Sequence, residues 1–272
     1  MSSIGASIMK NKREFKTRVY TNKTCSFIPE GESYPSVTTI LKIINKPALL
    51  VWMQMNGTYK AKQLWDGICE FLKQSPEWLT LVQEYIDQNM PTNFWKCGDD
   101  LSQEATTIGS TVHEAIENYL MTGHIPEFPE GTPEYNGFEG FRKFAQAHDL
   151  KPIEIERSLA SNIHKYAGRV DLIAKIDGQI AILDFKTNKA DTTYKGFYPE
   201  IGFQLEAYRR AYEEETGIKA TERWAIRVDK LTGEFDKKQY TEDEEDWEAF
   251  KSSKCLWKII NERSKEAKWT IG

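Results

Sequence analysis

Hydrophobic and polar positions follow two different periods along this chain. Between Pro152 and Lys186 apolar residues tend to alternate with polar ones, which predicts strands at 152–160, 166–174 and 179–186. Asp177-Gly178 lies between the last two runs and is a two-residue hairpin signal, so the three strands form an antiparallel meander. A fourth strand is expected at 224–228, and 230–233 turns into a fifth at 235–240. Elsewhere the period is helical. Helices are predicted at 101–121 after the polar break Gly98-Asp99-Asp100, at 134–148 through Phe138, Phe141 and Phe144, at 200–215, and at 242–267. Upstream, 48–89 reads as helical and aromatic-rich, with Trp52, Tyr59, Trp65, Phe71, Trp78 and Tyr85. Short strands are expected at 18–21 and 25–28, with a turn at 29–33. Ser36 or Thr38 then caps a helix whose apolar side is Ile40, Leu41 and Ile44. Residues 1–18 form a polar, basic arm.

Composition narrows the class without choosing a function. The 272 residues are 40% hydrophobic and 28% charged, enough for one large or two small globular domains. Neither a spanning apolar run nor an apolar leader is visible, so a reducing interior, cytoplasmic or host-cell, is expected, and organellar targeting stays open. The four cysteines, Cys25, Cys69, Cys97 and Cys255, form no CxxC pair, against a zinc knuckle. Net charge is −5, with no overall nucleic-acid footprint, although the basic residues crowd the first 24 positions. A local groove on an acidic protein can still bind DNA, so charge decides nothing here.

The chemistry concentrates at Ile180–Thr187, where an apolar run enters Asp184-Phe185-Lys186. On a strand Asp184 and Lys186 share a face, as a metal-site pair or as a plain ion pair. Asp171 is on the preceding strand after Gly168 and Arg169, and Glu156 on the one before. On the predicted helices, Gly109, His113 and Glu117 stack four apart, as do Gln204 and Tyr208. Each is weak alone: a single histidine on a helix is more often structural than a ligand, and Asp-x-Lys recurs by chance.

In this order, however, helix-His, strand-Glu, Gly-x-x-Asp, Asp-x-Lys and Gln-x-x-x-Tyr resemble the PD-(D/E)XK nuclease superfamily, in particular its RecB-type exonuclease branch, over about 103–228. Tyr34-Pro35-Ser36-Val37-Thr38-Thr39-Ile40-Leu41, with Trp52 beyond, is similar to the opening segment of the mitochondrial genome maintenance exonuclease and its phage-like relatives. Val170 stands before Asp171 where the superfamily often has Pro, a variation the RecB branch shares.

The resemblance implies an α/β fold with a restriction-endonuclease-like core: a mixed sheet flanked by helices in the order αβββαβ. An N-terminal helical segment would lie over the cleft. It implies Mg²⁺, with Mn²⁺ able to substitute, held by His113, Asp171, Asp184 and the backbone carbonyl of Phe185. Lys186 would meet the attacking water, with Gln204 and Tyr208 across the cleft and Glu156 in a supporting or second-metal role. Ser36, Thr38, Trp52, Tyr59, Lys165 and Arg169 are candidate DNA contacts. The cysteine set of the family's iron–sulfur members is not matched, so no cluster is expected. The expected layout is an arm and hairpin at 1–33, a helical segment admitting DNA at 34–100, the nuclease core at 101–230, and a closing strand and acidic helix at 231–272. The expected activity is metal-dependent exonucleolytic hydrolysis of single-stranded DNA in replication, recombination or repair, by analogy in a viral setting. Any helicase or recombinase partner would be a separate chain. The alternatives are a structure-selective or nicking endonuclease on the same core, or a non-catalytic nucleic-acid-binding module.

Overall fold

The computed structural model describes residues 18–44, 66, 95–188 and 197–266. The expected contacts Trp52 and Tyr59, most of the aromatic-rich segment and the basic arm up to residue 17 lie outside the described residues.

A mixed five-stranded sheet with helices on both faces forms the centre. β1 (Val19–Thr21) and β2 (Ser33–Pro35) make a small antiparallel pair of their own. The main sheet runs β3 (Leu150–Ser161), β4 (Tyr166–Ile176), β5 (Gln179–Asn188), β6 (Glu222–Asp229) and β7 (Phe235–Gln239), side by side in that order. β3, β4 and β5 are the antiparallel meander expected from the alternation. Asp177 and Gly178 both have left-handed φ, 48° and 92°, as a tight primed hairpin requires. β6 returns parallel to β5, and β7 closes antiparallel on β6.

The parallel step needs a crossover. It is made by α4 (Pro199–Thr216), which follows α1 (Val37–Leu41), α2 (Trp95–Thr122) and α3 (Pro133–Ala147) in the chain; α5 (Asp243–Glu266) comes last. Leu205, Ala207, Tyr208 and Tyr212 of α4 pack with Trp247 and Phe250 of α5 on Val170, Ile173, Ile182 and Ala225 of the sheet. On the other face, Val112 and Ile116 of α2 and the three inward phenylalanines of α3 cover Leu172, Ala174, Leu183, Phe185 and Ile226. A buried ion network ties the first layer together. Glu206 takes Arg209 at 2.6 Å, and Arg223 takes Asp246 at 2.6 Å and Asp243 at 2.9 Å.

Three local expectations are corrected. Residues 25–28 form turns, not a strand, and the partner of β1 is Ser33–Pro35, just after the predicted loop. The helix carrying His113 runs straight through Gly98-Asp99-Asp100. One glycine costs a helix interior only about 1 kcal/mol, too little to stop a long one. The helix capped by Ser36 is five residues long and ends at Leu41, before Ile44, although the cap is as expected: Ser36 Oγ accepts the Thr39 N–H at 3.0 Å.

Candidate active site

The site begins with a fault in the pleat. Residues two apart on a regular strand share a face. Ile155 instead packs on the α2/α3 side, while the Arg157 guanidinium lies over the Tyr212 ring of α4. Val170 and Leu172 divide in the same way between the two layers. The slip falls on Glu156 and Asp171, which lie opposite each other between the paired positions Ile155/Leu172 and Arg157/Val170. Glu156 takes up the change with φ at 50°, a left-handed conformation that costs a non-glycine residue about 1–3 kcal/mol.

β4 and β5 also part here. Their ladder runs from Ile176/Gln179 to Leu172/Leu183 and stops, whereas β5 continues along β6 to Asn188. Beyond the last pair, the Asp171 carboxylate enters the gap and accepts the Phe185 N–H at 2.8 Å. In an extended residue the N–H and carbonyl point to the same side, so the Phe185 carbonyl turns toward the same opening.

Side chains converge on this gap from three directions. From α2, His113 brings Nδ1 to 3.8 Å from Asp171, its ring edge-on to Phe185. One ligand atom each from His113, Glu156 and Asp171 lie within 4.8 Å of one another. From β5, Asp184 and Lys186 project together, with Lys186 Nζ 2.5 Å from Asp184 Oδ2. From α4, Gln204 Nε2 donates to Asp184 Oδ1 at 2.7 Å. Tyr208, one turn on, lies against Gly168. A Cβ at Gly168 would stand 2.4 Å from Tyr208 Cε1, which accounts for the glycine of the Gly-x-x-Asp run.

Crowded carboxylates raise one another. Burial and then the Asp171 charge push Glu156 up to about 7, against the pull of Arg169. Burial and the Asp184 charge push Asp171 up to about 6, opposed by His113, Lys186 and the Phe185 N–H. Burial works to lower Lys186, but the Asp184 and Asp171 carboxylates outweigh it and hold the ammonium above its ordinary range. Burial, with the same two carboxylates, keeps Tyr208 a neutral phenol. An imidazole nitrogen beside two carboxylates that repel each other is a donor set suited to a hard or borderline divalent cation, which would relieve that repulsion.

The grouping differs in detail from the ligand set expected. Glu156 joins His113 and Asp171, while Asp184 is held by Gln204 and Lys186. Arg169 pairs with Glu156, Nε to Oε2, at 2.6 Å. Ser36 is buried as a helix cap beside Ala167, and Thr38 is exposed next to it. Lys165 stands apart. It is bound to Glu32 at 2.7 Å and to the Tyr34 hydroxyl, about 20 Å of extended strand from Asp171.

Arg18 was not foreseen. Its chain position suggests the end of a loose arm, yet Thr39 Oγ1 accepts its N–H and the Ser36 N–H donates to its carbonyl. Its guanidinium lies over Tyr20, where its charge reaches Glu156 and Tyr208. Arg227 was also missed. It is level with Lys186 on the adjoining strand, stacked on Phe197 and paired with Asp236. A basic residue beside the Asp-x-Lys strand was the only signal available for it.

Residues 135–262 match the PD-(D/E)XK nuclease superfamily. This implies metal-dependent hydrolysis of nucleic acid, with divalent metals that are typically Mg²⁺ or Mn²⁺. The matched span includes Glu156, Asp171, Asp184, Lys186, Gln204 and Tyr208; His113 lies before it. No curated protein matches the chain. Among solved structures, one described as "Crystal structure of SSO0001" aligns at 13% identity and a TM-score of 0.29. It covers 44% of this chain and 56% of its own, too slight a likeness to carry an argument.

Proposed function

We propose, on the premise of that match, that the protein is a Mg²⁺- or Mn²⁺-dependent deoxyribonuclease of the RecB-like type. It would remove nucleotides from free ends of single-stranded DNA in replication, recombination or repair. The observation that carries the reading is the convergence of His113, Glu156, Asp171, Asp184, Lys186 and Gln204 where β4 and β5 part.

A divalent cation held there by His113, Asp171 and Glu156, with Asp184 and the Phe185 carbonyl beside them, would supply Lewis acidity toward a phosphate oxygen and an acidified water. The remaining roles belong to the chain. Lys186, protonated and partly exposed, meets the negative charge that grows on the phosphoryl group and stabilises it. Beside the two carboxylates it acts as an electrostatic stabiliser and a water-orienting donor. Gln204 holds the Asp184 carboxylate in one orientation. Tyr208, a neutral phenol wedged over Gly168, closes that side of the cleft and offers a donor. Arg18 and Arg169 lie where the phosphates of an approaching strand would pass, as does Arg227 on the far side of Lys186. Single-strand preference is supported by the aromatic residues of 48–89, some of which would suit base stacking although most are expected in the core.

Digestion of end-labelled linear and of circular single-stranded DNA, with Mg²⁺, Mn²⁺ or EDTA, tests this. Loss of the linear substrate alone, and only with metal, is expected. Circles cut as fast as linear strands would replace the exonuclease with an endonuclease. No cleavage under any metal would leave a binding module.

A further inference from the structure

Glu156 has two claims on it. It contributes one of the three ligand atoms that cluster within 4.8 Å, and its Oε2 is simultaneously 2.6 Å from Arg169 Nε. The carboxylate is largely buried, at 15% exposed, while Arg169 is 49% exposed and projects to the surface. Arg18, just before β1, is a second cation close enough for its charge to reach Glu156. The acidic group is therefore paired from its outer side, by arginine.

We propose that Arg169 is an exchangeable partner of Glu156, and that the exchange couples cation binding to phosphate binding. This rests on the carboxylate cluster being the cation site proposed above. When Glu156 turns its charge to a divalent cation shared with His113 and Asp171, Arg169 loses its partner. Its guanidinium, already half in solvent, is then released beside the site with its planar donors directed at no protein acceptor. A phosphodiester oxygen is the acceptor that geometry suits. The converse follows by linkage: a phosphate that draws Arg169 away from Glu156 makes the carboxylate a better ligand and tightens the cation. The left-handed backbone at Glu156 suits this. It accompanies the slip in the pleat that sets the Glu156 carboxylate between the ligand cluster and Arg169.

The test is calorimetric titration of Mn²⁺ into the full chain, with and without a short phosphorothioate-linked single-stranded oligonucleotide. Wild type, R169Q, R169K and D171N are compared. In wild type the oligonucleotide should tighten Mn²⁺ about tenfold. R169Q should bind Mn²⁺ alone several-fold to about tenfold more tightly than wild type, because no arginine competes, and should lose most of the oligonucleotide effect. R169K, which keeps the charge without the planar fork, should retain part of it. Wild-type or weaker Mn²⁺ affinity in R169Q, or an undiminished oligonucleotide effect, overturns the exchange and leaves the site intact. A wild type that takes up no Mn²⁺, or a D171N variant that binds it as well as wild type, overturns the site reading and the exchange with it.

Discussion

Gly168→Ala isolates the contact between the sheet and the helix that closes the site. The added Cβ would stand 2.4 Å from Tyr208 Cε1 and 3.2 Å from both Cζ and the hydroxyl. Carbon atoms in contact prefer about 3.5–4 Å, so the overlap exceeds an ångström against a rigid ring. β4 cannot yield easily here, since Gly168 is paired with Leu159 of β3 and its neighbour Ala167 bridges to Ser36. Tyr208 cannot rotate freely either, being only 3% exposed. Overpacking of this kind costs about 1–3 kcal/mol. With a urea m-value near 2 kcal/mol/M, the unfolding midpoint should fall by roughly 0.5–1.5 M. Cleavage should fall with it, because Asp171 is on the same strand and Tyr208 faces the same gap. The decisive assay is a double-mutant cycle. In a Tyr208→Ala background the new methyl meets space instead of a ring, so Gly168→Ala should cost no more than about 0.5 kcal/mol there. Equal losses in both backgrounds would show that the glycine is required for some reason other than the ring.

Three further predictions test other parts of the structure. Lys186→Ala should lower cleavage by about a hundredfold or more while an oligonucleotide still binds, measured by single-turnover digestion beside fluorescence anisotropy; unimpaired cleavage would remove Lys186 from the site. Native Glu156 and Asp171, at about 7 and 6, keep protons that the unfolded chain releases near pH 4. Their contribution to stability is therefore fully present below pH 4 and lost as pH rises through 6 and 7. Thermal melts of the metal-free protein should show this decline between pH 5 and 8; Glu156→Gln should flatten it and Mn²⁺ should offset it, and a decline identical in wild type and variant would contradict the assignment. Glu206→Ala should destabilise by about 3–5 kcal/mol, since it removes the buried carboxylate that takes two Arg209 N–H groups and faces Arg223, leaving Arg209 only the partly exposed Asp243, whereas an exposed pair such as Lys251–Glu248 should contribute under about 1 kcal/mol when broken, both read from urea midpoints.

Much of this molecule was legible in the linear pattern because it follows from local rules. Strand geometry requires one face for Asp184 and Lys186, Asp177-Gly178 requires a hairpin, and the i, i+4 spacing of Gln204 and Tyr208 requires one helix face. These rules identified the antiparallel meander and the element and face of each polar residue; the mixed sheet and the grouping around one site were implied by the family resemblance. Tertiary structure decided what they touch. Glu156 and Asp171 meet His113 because both strands slip their pleat at one level, a fault that no period of two contains. Asp171 enters the sheet plane because β4 stops pairing with β5 beyond Leu172, which depends on the β5–β6 ladder continuing past it. Arg18 became part of the site only because Ser36 and Thr39, far along the chain, bind its backbone. The sequence by itself determined which groups lie on each element, since side-chain direction is a local property of strand and helix. Which of those groups share a cation, an arginine or a hydrogen bond was settled by where the sheet opens, and that opening is a balance among contacts distant in sequence.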